Sequence, residues 1–317
     1  KAIYQMLDAE FPSDFIMIEA EPATLAQLEL VHSPEYIQKV LKTADHGFTN
    51  LAPDTPTSAK SYLAAWLAAG GCLKALESLM DGRCDICFAL IRPPGHHALH
   101  DRAGGFCILN NLAVTARYAM RHHSMDRIMV IDWDVHHGNG IHDLFYKQKE
   151  VLYISSHDIL LYPYTGRWEE AGSGQGEGYT VNIPIPRDLN DDEFAFLYRE
   201  ILAPAVARYR PRVILVAAGF DGHMDDPIGR SQLSEKAYGK LIQVLLDSRN
   251  RAGSIPILLA LEGGYDPRSL SLSVKEVLKV LTGRVSAQDL SILDPGQAPV
   301  LVEKAKEIHA GYGVWCD

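Results

Sequence analysis

The stretch "IMVIDWDVHHGNG", residues 128–140, joins an apolar run to a cluster of ionisable side chains. Asp132, Asp134 and His136 are spaced by two, so an extended chain would point all three side chains to the same side. Burying two carboxylates and an imidazole is costly unless another group compensates them. A divalent cation is the natural partner. Asp134, His136 and one further carboxylate would hold it and leave a coordination position open for water.

Other apolar runs also lead into residues that could do chemistry. Ligands bind outside the carboxyl ends of the strands in open α/β sheets, so we expect these residues to share one rim. Asp221, followed by Gly222, is the predicted third metal ligand. The residues at the ends of the remaining runs are His96 and His97 after 86–91, "SSHD" at the end of 151–156, and Tyr265 after 256–261.

Each of these features has an ordinary structural explanation when it is taken alone. An Asp-x-His at a strand end is more often a hydrogen-bonded turn than a metal site, and Asp221 could cap a helix or a turn. The pair His96–His97 by itself is more often structural than functional. These explanations are independent of one another, and the convergence of all the residues on one predicted rim favours the functional interpretation.

The elements that must position these residues alternate along the chain. Apolar runs of strand length indicate strands buried on both faces, and segments of helical periodicity lie between them, with Ser33 and Asn190 as predicted caps. This alternation predicts an α/β fold, a single domain with a parallel β-sheet sandwiched by helices. The predicted strands are 86–91, 128–133, 151–156, 179–185, 213–219 and 256–264, and the predicted helices are 57–81, 110–123, 190–209, 233–248 and 270–282.

Composition is that of an ordinary globular chain: 317 residues, 47% hydrophobic and 22% charged. The net charge of −10 argues against general attraction to nucleic-acid phosphates, so no direct nucleic-acid binding is expected. No apolar stretch approaches the roughly 18 to 20 residues of a membrane span, and no signal-peptide pattern is present. We therefore expect a cytoplasmic protein without a membrane partner.

The five cysteines are too few and too scattered for a disulfide scaffold in a chain of this length, which favours a reducing compartment. Cys84 and Cys87 form a lone Cys-x-x-Cys. A metal or redox role is one interpretation, but the pair flanks Ile86 at the start of an apolar run, and core packing is the better prediction.

Five motifs together resemble those of the histone deacetylase family: "RPPGHHA", "GGFCILNN", "DWDVHHGNG", "GFDGHMDDPIG" and "LEGGYD". The third is most similar to the class II branch and to the bacterial deacetylase-like and acetylpolyamine amidohydrolases. The similarity covers about residues 31–282. It implies an arginase/deacetylase-like fold, with residues 1–317 as one catalytic domain and 284–317 as a terminal helix and tail.

The resemblance implies a role for each matching residue. Asp134, His136 and Asp221 would bind one catalytic zinc ion, in agreement with the choice made from spacing. His97 would be the general base and acid, and Tyr265 would donate its hydroxyl to the substrate carbonyl. His96 would be the partner of His97. A structural potassium ion would be bound by Asp132, Ser155 and the carbonyls of Asp134, His136 and Ser156.

A substrate tunnel is also implied by the resemblance. Gly105, Phe106 and Tyr162 match positions that line a narrow apolar tunnel around an acyl-lysine side chain, and Asp54 matches a rim aspartate that orients the substrate backbone. Ile228 stands where a polyamine-selective branch has a glutamate. The preferred substrate is therefore an acylated amine or acyl-lysine peptide, with acetylpolyamine as the alternative.

Two neighbours of the metal motif receive separate predictions. Asn139 matches a position where class I members have an aspartate paired with the second histidine. A neutral partner should raise the pKa of His97 less than a carboxylate would. Alternation turns His137 away from the metal, so it is interpreted as structural.

Two rival functions remain open. An arginase-like dimanganese ureohydrolase would need several more aspartates in the metal motifs. A catalytically inactive module that binds acylated ligands would be favoured by loss of Tyr265, His97 or a metal ligand, and all of these are present. No pattern in the sequence decides whether the protein forms a homo-oligomer.

Overall fold

The structure, a computed structural model, describes residues 1–286 and 288–316. Of the predicted terminal segment 284–317, Ala287 and Asp317 lie outside the described residues. The helices are α1 Ala2–Glu10, α2 Leu25–Leu28, α3 Pro34–Leu41, α4 Ser61–Met80, α5 Asn111–His122, α6 Asn139–Phe145, α7 Asp191–Tyr209, α8 Glu235–Arg251, α9 Pro267–Leu281 and α10 Ala298–His309. The strands are β1 Thr49–Ala52, β2 Thr55–Thr57, β3 Ile86–Ala89, β4 Ile128–Asp132, β5 Val151–His157, β6 Thr180–Pro184, β7 Val213–Ala218 and β8 Ile257–Leu261.

Strands β3 to β8 form one parallel six-stranded sheet between two apolar layers. Alternate residues of β4 enter opposite layers: Ile128 and Val130 pack on the side of α4 and α5, whereas Met129 and Ile131 pack on the side of α7, α8 and α9. The central strands are buried on both faces, which is why their sequences read as continuous apolar runs. The predicted parallel α/β fold with helices on both faces is confirmed.

The strand order is β3-β8-β7-β4-β5-β6. From β4 the chain adds β5 and β6 on one side, and then returns to add β7 and β8 on the other. The direction of winding therefore reverses between β4 and β7, and a crevice opens at the carboxyl ends of strands at such a reversal. The segments that follow β4 and β7 carry Asp134 and Asp221.

Local capping explains where several helices begin. Asn190 and Glu193 form a capping box at the start of α7, and the Ser33 hydroxyl accepts a hydrogen bond from the Tyr36 amide just after Pro34. Both predicted caps are confirmed. The sequence interpretation missed α6, whose seven residues begin at Asn139, and the antiparallel β1–β2 hairpin, whose turn carries Asp54.

One feature departs from the expectation about membrane spans. Helix α4, with 20 residues and a mean hydropathy of 1.2 in its most apolar window, is long and apolar enough to cross a membrane by length and composition. In the structure 61% of that window is buried, because α4 packs against α5 and β3. Helices in the core of a folded domain can have the same length and apolar composition as a membrane span.

Candidate active site

Three buried side chains converge at the crevice between β4 and β7. Asp134, His136 and Asp221 place one ligand atom each within 4.8 Å of the others. His136 Nδ1 lies 3.1 Å from Asp134 Oδ1 and 2.9 Å from Asp221 Oδ2. The two predicted ligands that follow β4 and the one that follows β7 therefore meet because the strand order brings these two strands together.

The backbone around this trio orients the carboxylates. The Gly263 amide donates to Asp134 Oδ2 at 2.8 Å, and the Val135 amide donates to Asp221 Oδ1 at 3.2 Å. A Cβ atom added at Gly263 would lie 2.0 Å from Asp221 Oδ2, and one added at Gly219 would lie 2.1 Å from Asp134 Oδ2. Glycine at these two positions leaves the space that the carboxylates occupy.

The electrostatics of the trio suit a cation. Burial lowers the pKa of His136, but Asp221 and Asp134 outweigh it and raise that pKa to about 11. Burial and the charge of Asp134 raise the pKa of the Asp221 carboxyl above its ordinary value. Two buried carboxylates this close need a positive charge between them. One imidazole with two carboxylates is a donor set that divalent zinc accepts, so these residues could hold such an ion.

The histidine pair follows β3 and faces the trio. The His96 and His97 rings lie 4.0 Å apart between centroids. His96 Nδ1 lies 3.2 Å from Asp132 Oδ2, and His97 Nδ1 lies 2.9 Å from Asn139 Oδ1. The pairing of His97 with Asn139 follows from the position of Asn139 at the start of α6, an element that the sequence interpretation missed.

The pKa values of the two histidines are shifted in opposite directions. Burial lowers the pKa of His96, but Asp134 and Asp132 outweigh it and raise that pKa to about 10. Burial and the neighbouring His96 hold the pKa of His97 well below its ordinary value. His96 is therefore suited to carry positive charge and His97 to accept a proton.

Tyr265 lies on the loop after β8, beside Phe106. Their ring centroids are 5.5 Å apart, and the Arg92 guanidinium lies 5.4 Å from the Tyr265 ring centroid. The Tyr265 amide donates to Asp226 Oδ2 at 2.7 Å, while Asp226 Oδ1 accepts from the Ile228 amide at 2.8 Å. Burial raises the pKa of the Tyr265 hydroxyl, which keeps it protonated and able to donate.

The predicted tunnel residues lie together at the mouth of the site. Gly105 has φ +55°, and a Cβ atom there would lie 2.2 Å from His97 Cδ2 and 2.8 Å from Tyr162 Cε1. Only glycine fits this close packing in a left-handed conformation. Asp54 Oδ2 accepts from the Gly105 amide at 3.0 Å. In this structure Asp54 therefore holds the loop that carries Gly105, and Ile228 is half-buried on the loop after β7.

Asp132 lies apart from the trio, at the end of β4. It pairs in register with Ser155 of β5, and its Oδ2 accepts from the Tyr153 hydroxyl at 3.0 Å. The Tyr198 hydroxyl lies 2.7 Å from Ser156 Oγ and 3.1 Å from the Asp132 carbonyl oxygen. Register thus brings together the side chains predicted to lie near a second cation.

His137 belongs to a different group of side chains, which we call the rear histidine cluster. Its Nδ1 lies 2.8 Å from Thr165 Oγ1, and its ring lies 4.9 Å from His142 and 4.5 Å from His157. The structure therefore turns His137 away from the trio, as alternation predicts. The rear histidine cluster consists of His137, His142 and His157.

Glu262 is a contributor that sequence reasoning missed. It is fully buried at the end of β8, and its Oε2 accepts from the Gly95 amide at 2.6 Å and the His96 amide at 3.1 Å. It also lies with His96 and Cys107 in a second group whose ligand atoms are within 4.8 Å of one another. The available signal was a glutamate inside an apolar strand end, "LEGGYD". Its partner lies 167 positions away, and spacing alone cannot show such a contact.

Known proteins resemble this chain over most of its length. A model described as "Histone deacetylase domain" matches residues 1–281. A probable deacetylase of Archaeoglobus fulgidus is 36% identical over 251 residues, which are 79% of this chain and 69% of that protein. A histone deacetylase-like amidohydrolase of Pseudomonas aeruginosa is 35% identical over 84% of this chain and 71% of its own length.

Similarity extends to plant proteins and to a solved structure. Histone deacetylase 15 of Arabidopsis thaliana is 37% identical over 89% of this chain, but the chain spans only 51% of that protein. The crystal structure of the HDA15 HD domain superposes with a TM-score of 0.90 at 34% identity, covering 99% of this chain and 86% of the other. The chain therefore resembles the HDA15 HD domain both in fold and in sequence.

Proposed function

Because this chain belongs to the histone deacetylase family, we propose that it hydrolyses the amide of an acylated amine such as acyl-lysine, with zinc as its catalytic metal. The products would be acetate, or another carboxylate, and the free amine. One observation supports the proposal: a buried Asp-His-Asp trio lies at the β4–β7 crevice, next to a histidine pair whose rings are 4.0 Å apart and to the loop that carries Gly263 and Tyr265.

Zinc bound by Asp134, His136 and Asp221 would supply Lewis acidity, which lowers the pKa of a water from 15.7 toward about 7. The residues of the chain supply the proton transfers. His97 faces Asn139 through Nδ1, so Nε2 is the atom left to take a proton from the water and later to give it to the leaving amine. Its lowered pKa favours the neutral, basic form.

His96 and Tyr265 stabilise the charge that develops on the carbonyl oxygen. Asp132 orients His96 through Nδ1 and, together with Asp134, favours its cationic form. The Tyr265 hydroxyl would donate a hydrogen bond to the oxygen as it becomes an oxyanion. Removal of one such donor typically lowers turnover by about 100-fold to 1000-fold.

The tunnel residues support a slender substrate. Gly105, Phe106 and Tyr162 would line the path of an unbranched methylene chain, and the apolar Ile228 offers no charge to a second amine of a polyamine. We therefore favour acyl-lysine over acetylpolyamine. The paired positions of Asp132, Ser155 and Ser156 support a structural potassium ion beside the catalytic site.

A comparison of substrates on the zinc-loaded full chain tests the proposal. Rates would be measured on acetyl-lysine peptides, longer acyl-lysine peptides, acetylputrescine and acetylspermidine. We expect the acetyl-lysine or longer acyl-lysine peptides to be fastest. A clear preference for acetylspermidine or acetylputrescine would select the acetylpolyamine alternative instead.

Tyr265→Phe tests the chemistry separately from substrate choice. We expect turnover to fall by orders of magnitude while the zinc content of the protein stays unchanged. Tyr164→Phe is the matched control, because Tyr164 is 67% exposed on the loop that also carries Tyr162. Near-normal turnover in Tyr265→Phe would contradict the assignment of this hydroxyl as the oxyanion donor.

A further inference from the structure

Two cysteine thiols meet at the amino end of β3. Cys84 Sγ and Cys87 Sγ lie 3.1 Å apart. Cys87 is the second residue of β3 and packs in the apolar layer against α4, whereas Cys84 precedes the strand and is partly exposed. Core packing, the function expected from the sequence, accounts for the burial of Cys87. It does not account for the sulfur contact, and Cys84 stays partly exposed although it packs against the same layer.

A groove of about 690 Å³ gives access to both thiols. Its walls are the extended segment 14–20, α4 and the edge strand β3, and both Cys84 and Cys87 line it. The side chains of Arg83 and Lys74 also line the groove, although Lys74 is paired with Glu21 at 3.0 Å. Asp14 and Glu19 line the groove as well, so its charge is mixed, and a small disulfide reagent could reach these sulfurs beside Arg83.

The loop before β3 can supply the movement that a disulfide bond needs. A disulfide has a sulfur–sulfur length of about 2.05 Å, so the two atoms must approach by about 1 Å. Residues 81–83 are exposed, and Gly82 has φ +67° with nothing within 4 Å of an added Cβ atom. Cys87 is held by the parallel pairing of β3 with β8, opposite Leu258, so Cys84 is the residue that would move.

We propose that Cys84 and Cys87 form a reversible intramolecular disulfide by exchange with a low-molecular-weight disulfide such as oxidised glutathione. Cys84 sulfur attacks one sulfur of the reagent, and the first glutathione leaves as a thiol. Cys87 sulfur then attacks Cys84 sulfur in the mixed disulfide, and the second glutathione leaves as a thiol. The two cysteine protons end on the two leaving thiols, the protein loses two electrons and the reagent gains them.

The environments of the two sulfurs assign the order of these steps. Burial and the hydrogen bond with Cys84 raise the pKa of Cys87 to about 12, so its thiolate is rare and poorly suited to attack from solution. Cys84 is the more exposed sulfur and would react first. The subsequent attack by Cys87 is intramolecular and profits from the short distance between the sulfurs.

The dithiol lies at the opposite end of β3 from the histidine pair. The four residues of β3 span about 13 Å at 3.3 Å per residue, and His96 follows the carboxyl end of the strand. Neither cysteine belongs to the groups that could hold a metal. The proposal therefore stands or falls independently of the hydrolytic function.

Peptide mass mapping of the folded full chain tests whether the Cys84–Cys87 disulfide forms. The chain would be incubated with oxidised glutathione, alkylated without prior reduction and digested. We expect the peptide that contains Cys84 and Cys87 to lose two hydrogen atoms, to retain no glutathione and to recover both thiols after dithiothreitol. Circular dichroism would establish that each variant is folded.

Single substitutions separate the two steps. Cys87→Ser should trap a glutathione adduct on Cys84, whereas Cys84→Ser should leave Cys87 as a free thiol. Cys72→Ser, a change at a fully buried cysteine of the same apolar layer, should behave as the unmodified chain does. The proposal is overturned if both thiols stay reduced in the unmodified chain, if Cys84 keeps a stable adduct there, or if Cys87→Ser traps none.

Discussion

Two groups of three buried histidines meet in this protein where the chain passes from His136 to His137. The metal-side group consists of His96, His97 and His136, and the rear histidine cluster consists of His137, His142 and His157. Carboxylates of Asp132, Asp134 and Asp221 contact the metal-side group. The contacts of His137 and His157 in the rear cluster are neutral oxygens, from the hydroxyls of Thr165 and Ser155 and the carbonyl of Gly166.

The comparison separates the effect of burial from the effect of neighbouring charge. Burial lowers the pKa of every histidine that has a resolved shift in the two groups. It prevails at His157, whose pKa falls to about 4, and the carboxylates reverse it at His96 and His136. Neighbouring carboxylates therefore favour positive charge at His96 and His136, which is the demand that a metal ion would meet. In the rear histidine cluster only the contact of His142 with the more exposed Asp143, at 3.0 Å, is of this kind among the hydrogen bonds of the described residues.

His97 is the informative exception on the metal side. Its Nδ1 partner is the neutral amide of Asn139 instead of a carboxylate, and its pKa stays well below the ordinary value. The group proposed to accept a proton is thus the one whose pKa the carboxylates do not raise above its ordinary value. His96 has a carboxylate as its Nδ1 partner and His97 has a neutral oxygen, which is the same difference that distinguishes His136 from His137.

The largest effect is expected where the two groups adjoin. His136→Gln should remove a ligand atom of the trio, so that zinc content falls and turnover drops by at least about 100-fold, as for loss of a group that acts in the transition state. His137→Gln is the matched control one residue away. It should keep zinc and most of the activity but lower the free energy of unfolding by about 1 to 3 kcal/mol, because buried hydrogen-bonding groups lose partners.

Zinc content, turnover and denaturant unfolding of the two variants would be measured together. Loss of zinc in both variants would show that the two groups act as one unit. Retention of zinc and activity in His136→Gln would remove this residue from the metal site.

The contrast also explains how far sequence reasoning could reach. Asp134, His136 and Asp221 could be chosen because polar residues that end buried strands are conspicuous, and alternation correctly turned His137 away. Tyr153 and Glu262 could not be found in this way. Their contacts with Asp132 and with the amides of residues 95 and 96 depend on strand order and register, which place distant segments side by side.

Short elements were missed for a related reason. Helix α6 has seven residues and a polar first turn, so helical periodicity had no length in which to appear. Asn139 was nevertheless paired with His97 through the family resemblance. The geometry of that pair, with Nδ1 facing the amide oxygen, came only from the structure.

A second and smaller effect concerns the stability of the fold in acid, and it tests the pKa of a histidine in the rear histidine cluster. The pKa of His157 is about 4 in the folded protein and about 6.5 when unfolded, so the unfolded chain binds more protons between these pH values. The free energy of unfolding should therefore fall as pH drops from 6.5 toward 4, by about 1.4 kcal/mol per pH unit from this residue. His157→Gln should flatten that part of the profile.

Denaturant unfolding at several pH values between 7 and 4.5 measures this slope. His46→Gln, a change at an exposed histidine, provides the control and should leave the slope as it is. An equal slope in the His157→Gln variant and the unmodified chain would mean that burial does not keep His157 neutral.

The smallest effect tests whether a carboxylate alone can move a histidine from one class to the other. Asn139→Asp would give His97 the kind of partner that His96 already has in Asp132. An adjacent carboxylate favours the protonated imidazole and should raise the pKa of His97 by about one unit or more. Because the neutral form is the base, the acidic limb of the kcat/KM profile should move to higher pH by the same amount. Zinc content should not change, since Asn139 is not among the proposed ligands. If the acidic limb stays in place, protonation of His97 does not control the acidic limb. The hydrogen-bond partner of a buried histidine would then not determine whether that histidine acts as the base.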